Sequence, residues 1–188
     1  MPSNQRLVEV NTQSRPNIIH SQGKALADRS VLYKYMNPNL IAVIAESTEK
    51  DNGELMACTL YVLDGVTGSL IHTAQHKRAR GPVKLVMAEN WLVYSYWNVK
   101  QFRTEVTVVD FYLGQNDPNT TEWDSIDDSN SLPLAIQNSF ILDQQVNQLG
   151  VSQSPRGITN KAILIATQTG QIYSMPKKVI TKNTNCSF

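Results

Sequence analysis

Residues 59–73, TLYVLDGVTGSLIHT, constrain the fold more than any other part of the chain. Leu60 and Val62 alternate with Tyr61 and Leu63, the two-residue period of a strand. Asp64-Gly65 and Thr67-Gly68 interrupt that run, and Leu70-Ile71 resumes it. Asp and Gly accept the positive φ angles of a tight turn, so the turn chemistry agrees with the pattern on both sides. The stretch predicts strand, tight turn, strand.

The same signals recur along the chain. Residues 39–48, 55–64, 69–75, 82–89, 91–98 and 105–112 read as strands, residues 31–35 as a short strand or a turn, and residues 161–176 as a last hairpin around Thr169-Gly170. Residues 113–131 are polar and acidic and read as a long loop; residues 132–145 carry scattered apolar positions, with 136–141 entering a strand. Residues 39–48, NLIAVIAEST, are apolar on both alternating faces, so both faces need covering. The strongly aromatic run 91–98 sends Trp91, Val93, Ser95 and Trp97 to one face and Leu92, Tyr94 and Tyr96 to the other. No long helix is predicted. Strands falling in groups of about four per roughly 40 residues match the size of a propeller blade. The expected class is all-β: a partial β-propeller of about two four-stranded antiparallel blades plus an extra hairpin. A β-sandwich is the competing fold. The expected division is an extended, weakly ordered polar lead-in over 1–30, a propeller-type domain over 31–178 and a polar tail over 179–188.

Composition narrows function. With 17 basic and 16 acidic residues the net charge is +1, which argues against nucleic acid as a partner, since that needs a clustered basic excess. No run of about 18 apolar residues is present to span a membrane, and the N-terminus lacks the apolar core of a signal peptide. Cys58 sits in an apolar run and Cys186 in the polar tail, too few and too far apart for a metal site.

Candidate chemistry is sparse. No phosphate loop, dinucleotide fingerprint or nucleophile elbow occurs. His20, His72 and His76 lack metal-ligand spacing, and Asp124, Asp127 and Asp128 lack the alternating oxygen ligands and closing glutamate of a calcium loop. Catalytic, cofactor-binding and metal residues are therefore assigned as none. Lys77, Arg78 and Arg80 form a basic turn: a solvated face, or in a sharper reading a contact for an anionic headgroup or an acidic partner. Asn119-Thr120-Thr121 and Asn185-Cys186-Ser187 are N-glycosylation triplets, making Asn119 and Asn185 the candidate modification sites.

Several segments in order carry a resemblance: His20-Ser21-Gln22-Gly23, DRSVLYKYMNPNL over 28–40, Glu46-Ser47-Thr48, Asp64-Gly65-Val66-Thr67-Gly68 with Ile71-His72, Arg80-Gly81-Pro82-Val83, Glu89-Asn90-Trp91, Tyr96-Trp97-Asn98 and Arg156-Gly157-Ile158-Thr159. Together they resemble the C-terminal lumenal domain of the family of subunit 1 of the ER membrane protein complex, over about residues 18–178. The resemblance implies a β-propeller domain of a large single-pass ER membrane protein. It implies a lumenal scaffold without bond-making chemistry or cofactor. The implied partners are the sister subunits and, indirectly, client membrane proteins whose transmembrane segments the complex inserts without hydrolysing nucleotide. The family's N-terminal propeller region, signal peptide and following membrane helix have no counterpart in these residues, so the chain is expected to be a fragment. Two alternatives stay open: a soluble propeller-like protein-interaction module, and a quinone-dependent dehydrogenase-like propeller, for which no ligand set or adjacent cysteine pair is visible.

Overall fold

Thirteen strands and no helix make up the regular structure among the described residues. The computed structural model describes residues 5–13, 19, 21–47, 57–114, 132–154 and 160–177. In chain order the strands are β1 (Gln5–Thr12), β2 (Gly23–Ala25), β3 (Val31–Lys34), β4 (Leu40–Ser47), β5 (Ala57–Asp64), β6 (Leu70–Lys77), β7 (Ala79–Ala88), β8 (Trp91–Asn98), β9 (Arg103–Gly114), β10 (Leu134–Leu142), β11 (Val146–Val151), β12 (Ala162–Thr167) and β13 (Ile172–Pro176).

They form three antiparallel sheets. The first has the order β1-β4-β5-β6, the second runs β7-β8-β9-β10, and the third is β11-β12-β13. The short hairpin β2-β3 leaves the first sheet between β1 and β4 and joins β9 of the second, where Lys34 pairs with Tyr112. β7 lies beside both β1 and β11, so the first strands of the three sheets stand side by side in a row. This is the arrangement of consecutive propeller blades. No strand pairing closes the row among the described residues. The all-β, partial-propeller class therefore holds, and the last hairpin, β12-β13, is completed on one side by β11.

Residues 59–73 form the β5–β6 hairpin at the outer side of the first sheet. Asp64 builds its turn: its Oδ1 accepts from the backbone N–H of Val66 at 2.8 Å and of Thr67 at 3.3 Å. Gly68 takes φ 71°, where a side chain is strained. Gly65 meets a different constraint, because a Cβ there would lie 3.0 Å from the Asn39 carbonyl oxygen.

Two apolar seams hold the sheets together, and β8 feeds both. Leu92, Tyr94 and Tyr96 join Leu40, Ile44, Leu60, Val62, Leu85 and Phe111 between the first and second sheets. Trp91 and Val93 join Val108, Leu149, Ile163 and Ile165 between the second and third. The alternation along 91–98 thus places aromatic residues on both neighbours, as expected.

Within 1–30, expected as a weakly ordered lead-in, the described residues include the strands β1 and β2. Residues 5–12 are an edge strand paired to β4 from Gln5↔Ser47 to Thr12↔Ile41, and Val8 packs on the first seam. A bulge between Leu7 and Glu9 breaks the two-residue period, which hides the strand from pattern reading.

Trp91 is 1% exposed, whereas Trp97 on the same face is half-buried near the strand end. Trp91→Ala is expected to cost about 3–5 kcal/mol, and Trp97→Ala clearly less. Chemical denaturation of the two variants checks this; equal losses would place both rings in the core.

Candidate functional site

Most of the charged side chains that the fold gathers away from water lie at one end of the row, around the β7–β8 turn. Glu89, at φ 50°, and Asn90 make that turn. Asn90 donates its side-chain N–H to the Phe111 carbonyl at 2.7 Å, and Phe111 N–H donates back to the Asn90 carbonyl at 2.8 Å, which fixes the turn to β9. The Glu89 carboxylate then receives two ammonium groups from distant segments. Lys34, at the end of β3, donates to Oε2 at 3.0 Å, and Lys161, just before β12, lies 3.3 Å from Oε1. A second pair stands alongside: Lys177, after β13, is 2.8 Å from Asp110 Oδ1 on β9 and lies over the Trp91 ring at 5.2 Å.

Neutral partners extend the junction to the first sheet. Gln13 donates to the Glu89 carbonyl at 2.6 Å and to the Asn37 carbonyl at 3.3 Å. Asn37, fully buried, donates to Asp64 Oδ2 at 2.8 Å. Asp64 is the residue that shapes the β5–β6 turn, so a chain of polar contacts runs from the first sheet to the third. A cavity of about 450 Å³ opens beside it, sharing Gln13 and lined further by Thr12, Asn39, Leu40 and Gly65; its lining has no charged side chain.

Burial pushes the Glu89 carboxyl up, but the hydrogen bond and charge of Lys34, with the charge of Lys161, outweigh it and hold the group below its ordinary value. Burial draws the Lys177 ammonium down against the opposing pull of Asp110. An ionised carboxylate whose oxygens are both engaged is poorly placed to give or take a proton. The arrangement ties together segments far apart in the chain.

A second polar group sits on the first seam near the opposite end. His76 Nε2 lies 2.5 Å from the Tyr94 hydroxyl, and its ring stacks on Tyr96 at 4.4 Å. Tyr96 donates to Glu105 at 2.7 Å, and Glu105 also accepts from Asn98 and Arg103. Burial raises both phenols and lowers His76, although Glu105 pulls the histidine the other way. Burial lowers His72 as well. Cys58 is buried on the same seam, and loss of hydration, helped by Glu46, pushes its thiol up to about 12.

Of the residues weighed in the sequence, His72 and His76 both face the first seam without meeting as ligands. Lys77, Arg78 and Arg80 fall at the β6–β7 corner. His20, Asn119, Asp124, Asp127, Asp128, Asn185 and Cys186 lie outside the described residues. No cluster of three His, Cys, Asp or Glu able to hold a metal occurs among the described residues. Sequence reading did not single out Lys34, Asp110, Lys161 or Lys177, because each is an isolated charge in its own segment. The one local hint was Glu89-Asn90 directly before an aromatic strand.

The row of four-stranded and three-stranded sheets, with first strands side by side, defines an open array of propeller-type blades. A family model described as "ER membrane protein complex subunit 1, second beta-propeller" matches residues 1–182, and the chain belongs to that family. It is 41% identical over 181 residues to ER membrane protein complex subunit 1 of Xenopus laevis, covering 96% of this chain and 18% of that protein. Against the Gallus gallus protein of the same name it is 42% identical over 176 residues, covering 94% and 18%. Against the Saccharomyces cerevisiae one it is 28% identical over 189 residues, covering 95% and 24%. The chain spans about a fifth of the length of the curated relatives it matches.

Glu89→Gln leaves Lys34 and Lys161 buried without their carboxylate. The expected loss is about 3–5 kcal/mol, with faster proteolysis between β11 and β13 than between β4 and β6. Urea unfolding combined with mapped proteolysis checks both effects; a variant as stable as the parent would remove the junction from its role. For pH the sign follows from the two histidines. Each binds its proton less readily folded than unfolded, so stability is full above the ordinary value of 6.5 and falls as pH drops through it. The chain is expected to melt at lower temperature below that pH, and His76→Gln should reduce the slope; an unchanged slope in both His76→Gln and His72→Gln would contradict the assignment.

Proposed function

We propose that this chain is a non-catalytic structural part of the ER membrane protein complex. Its work is to hold blades in a fixed arrangement on the lumenal side and to join other subunits, within a complex that inserts transmembrane segments of client proteins. Family membership and the names of the relatives support the assignment to that complex. The observation that carries the scaffold reading is the contrast between the inside and the outside of the row. The inside is tied by ion pairs and two apolar seams. On the outward face of the first sheet, Leu7 is 53% exposed, Val10 47% and Leu70 46%; Val10 pairs with the buried Val43, Leu7 with the buried Ala45, and Leu70 with Leu63 of β5. A contiguous apolar face on a rigid body is an interface in waiting.

Affinity capture of the tagged chain from cells tests the reading: other subunits of the complex are expected to co-purify, and Leu7→Lys with Val10→Lys is expected to release them without lowering the melting temperature. Recovery of no subunit by the parent chain would overturn it. The same reading places Asn119 in a compartment where it carries a glycan. Asn119→Gln is then expected to abolish a glycosidase-sensitive shift in mobility; a parent chain insensitive to glycosidase would count against lumenal placement.

A further inference from the structure

The end of the row opposite the ion junction carries a feature that the scaffold role does not use. β6 ends at Lys77, Arg78 turns the chain at φ 59°, and Arg80, the second residue of β7, stands opposite Trp97 of β8. The β8–β9 turn lies against this corner, because Val99 N–H donates to the Arg78 carbonyl at 2.9 Å. Asn98 Oδ1 shapes that turn by accepting from Lys100 N–H and Gln101 N–H, each at 3.1 Å. Phe102 follows at φ 51° and is 78% exposed, the highest value for a large apolar side chain among the described residues. Lys77, Arg80 and Lys100 at this end are exposed, and Arg78 is half-buried. Acidic groups at this end are Glu105, which is paired to Arg103 at 2.9 Å, Glu46, which stands opposite Arg6 in the β1–β4 ladder, and Asp143 after β10.

We propose that this tip is a membrane-surface contact for anionic phospholipid, with Arg78, Arg80 and Lys100 facing headgroup phosphates and Phe102 entering the interfacial layer. Two features select a lipid surface over an acidic protein. Phe102 stands on the convex end of a tight hairpin, and a fluid interface accepts a convex apolar tip where a protein needs a matching pocket. Basic side chains beside it meet the phosphates that such a surface presents, each adding attraction that falls with salt. Residues 48–56, between β4 and β5 in the chain, carry Glu49, Asp51 and Glu54 against Lys50 and lie outside the described residues.

The test is flotation of the full chain with vesicles of phosphatidylcholine alone and with added phosphatidylserine. Binding is expected only to the anionic vesicles. Each removed charge is expected to weaken it about fivefold, so R78Q/R80Q/K100Q should lose about a hundredfold, whereas the charge-matched K24Q/R29Q/K84Q, remote from the tip, should lose little. F102S should weaken binding with its salt dependence unchanged. In F102W, added anionic vesicles should shift indole emission to the blue, a readout that does not depend on comparing stabilities. Melting curves accompany every variant. Absence of parent binding to anionic vesicles, equal loss in the two charge triples, or no emission shift in F102W would overturn the proposal. Capture of an acidic polypeptide such as polyglutamate by a chain indifferent to F102S would do so too, in favour of a protein partner.

Discussion

Glu89 is where the separate sheets become one body. Its carboxylate takes Lys34 from the β2-β3 hairpin and Lys161 from the third sheet, and its own carbonyl takes Gln13 from the end of β1. Apolar seams alone are non-directional and tolerate sliding of one sheet across another. A buried carboxylate with two fixed cations tolerates little, because any displacement leaves charge without a partner in a medium that solvates it poorly. Such a cluster contributes less net stability than its geometry suggests, since desolvating its three charged groups offsets most of the attraction. Its use is registration: it sets how far each sheet is advanced along its neighbour.

β8 adds a matching constraint from the apolar side. Every residue from Trp91 to Tyr96 is buried, so this strand requires a sheet on each face. The first sheet and the third each have one face met in this way. Val43 and Ala45, on the far face of β4, are shielded within their own sheet by neighbours such as Leu7, Val10 and Tyr61, which remain partly exposed. The central sheet is therefore the best-defined part of the row, and the outward faces are where further packing has room to act.

What pattern reading found and missed follows from the range of each signal. The Asp64–Gly68 turn and the two-sided strand 91–98 depend on neighbours within a few residues, and both were legible. β1 was not, because its bulge shifts the period and its side chains are largely polar. β11 was not, because Val146-Asn147-Gln148-Leu149 offers only two apolar positions, and these are buried by β12 and the second sheet. The ion junction was beyond reach for a stronger reason: Lys34, Glu89 and Lys161 come from three segments, and nothing local in any of them specifies the other two. The segments 28–40 and 89–91 that carried the family resemblance contain Lys34, Asn37 and Glu89 of that junction, but the resemblance gave those residues no contact with one another.

The β2-β3 hairpin has a consequence for how such a chain is made. It branches from the first sheet, yet its partner is β9, where Lys34 meets Tyr112. During synthesis the ribosome delivers residues 23–34 long before residue 112 exists. β4, β5 and β6 can pair as they emerge, but the segment leading into them has no docking place until the second sheet is nearly complete. Docking of this excursion from the first blade is thus deferred until β9 is made, and the two blades are expected to consolidate as one cooperative unit instead of blade by blade.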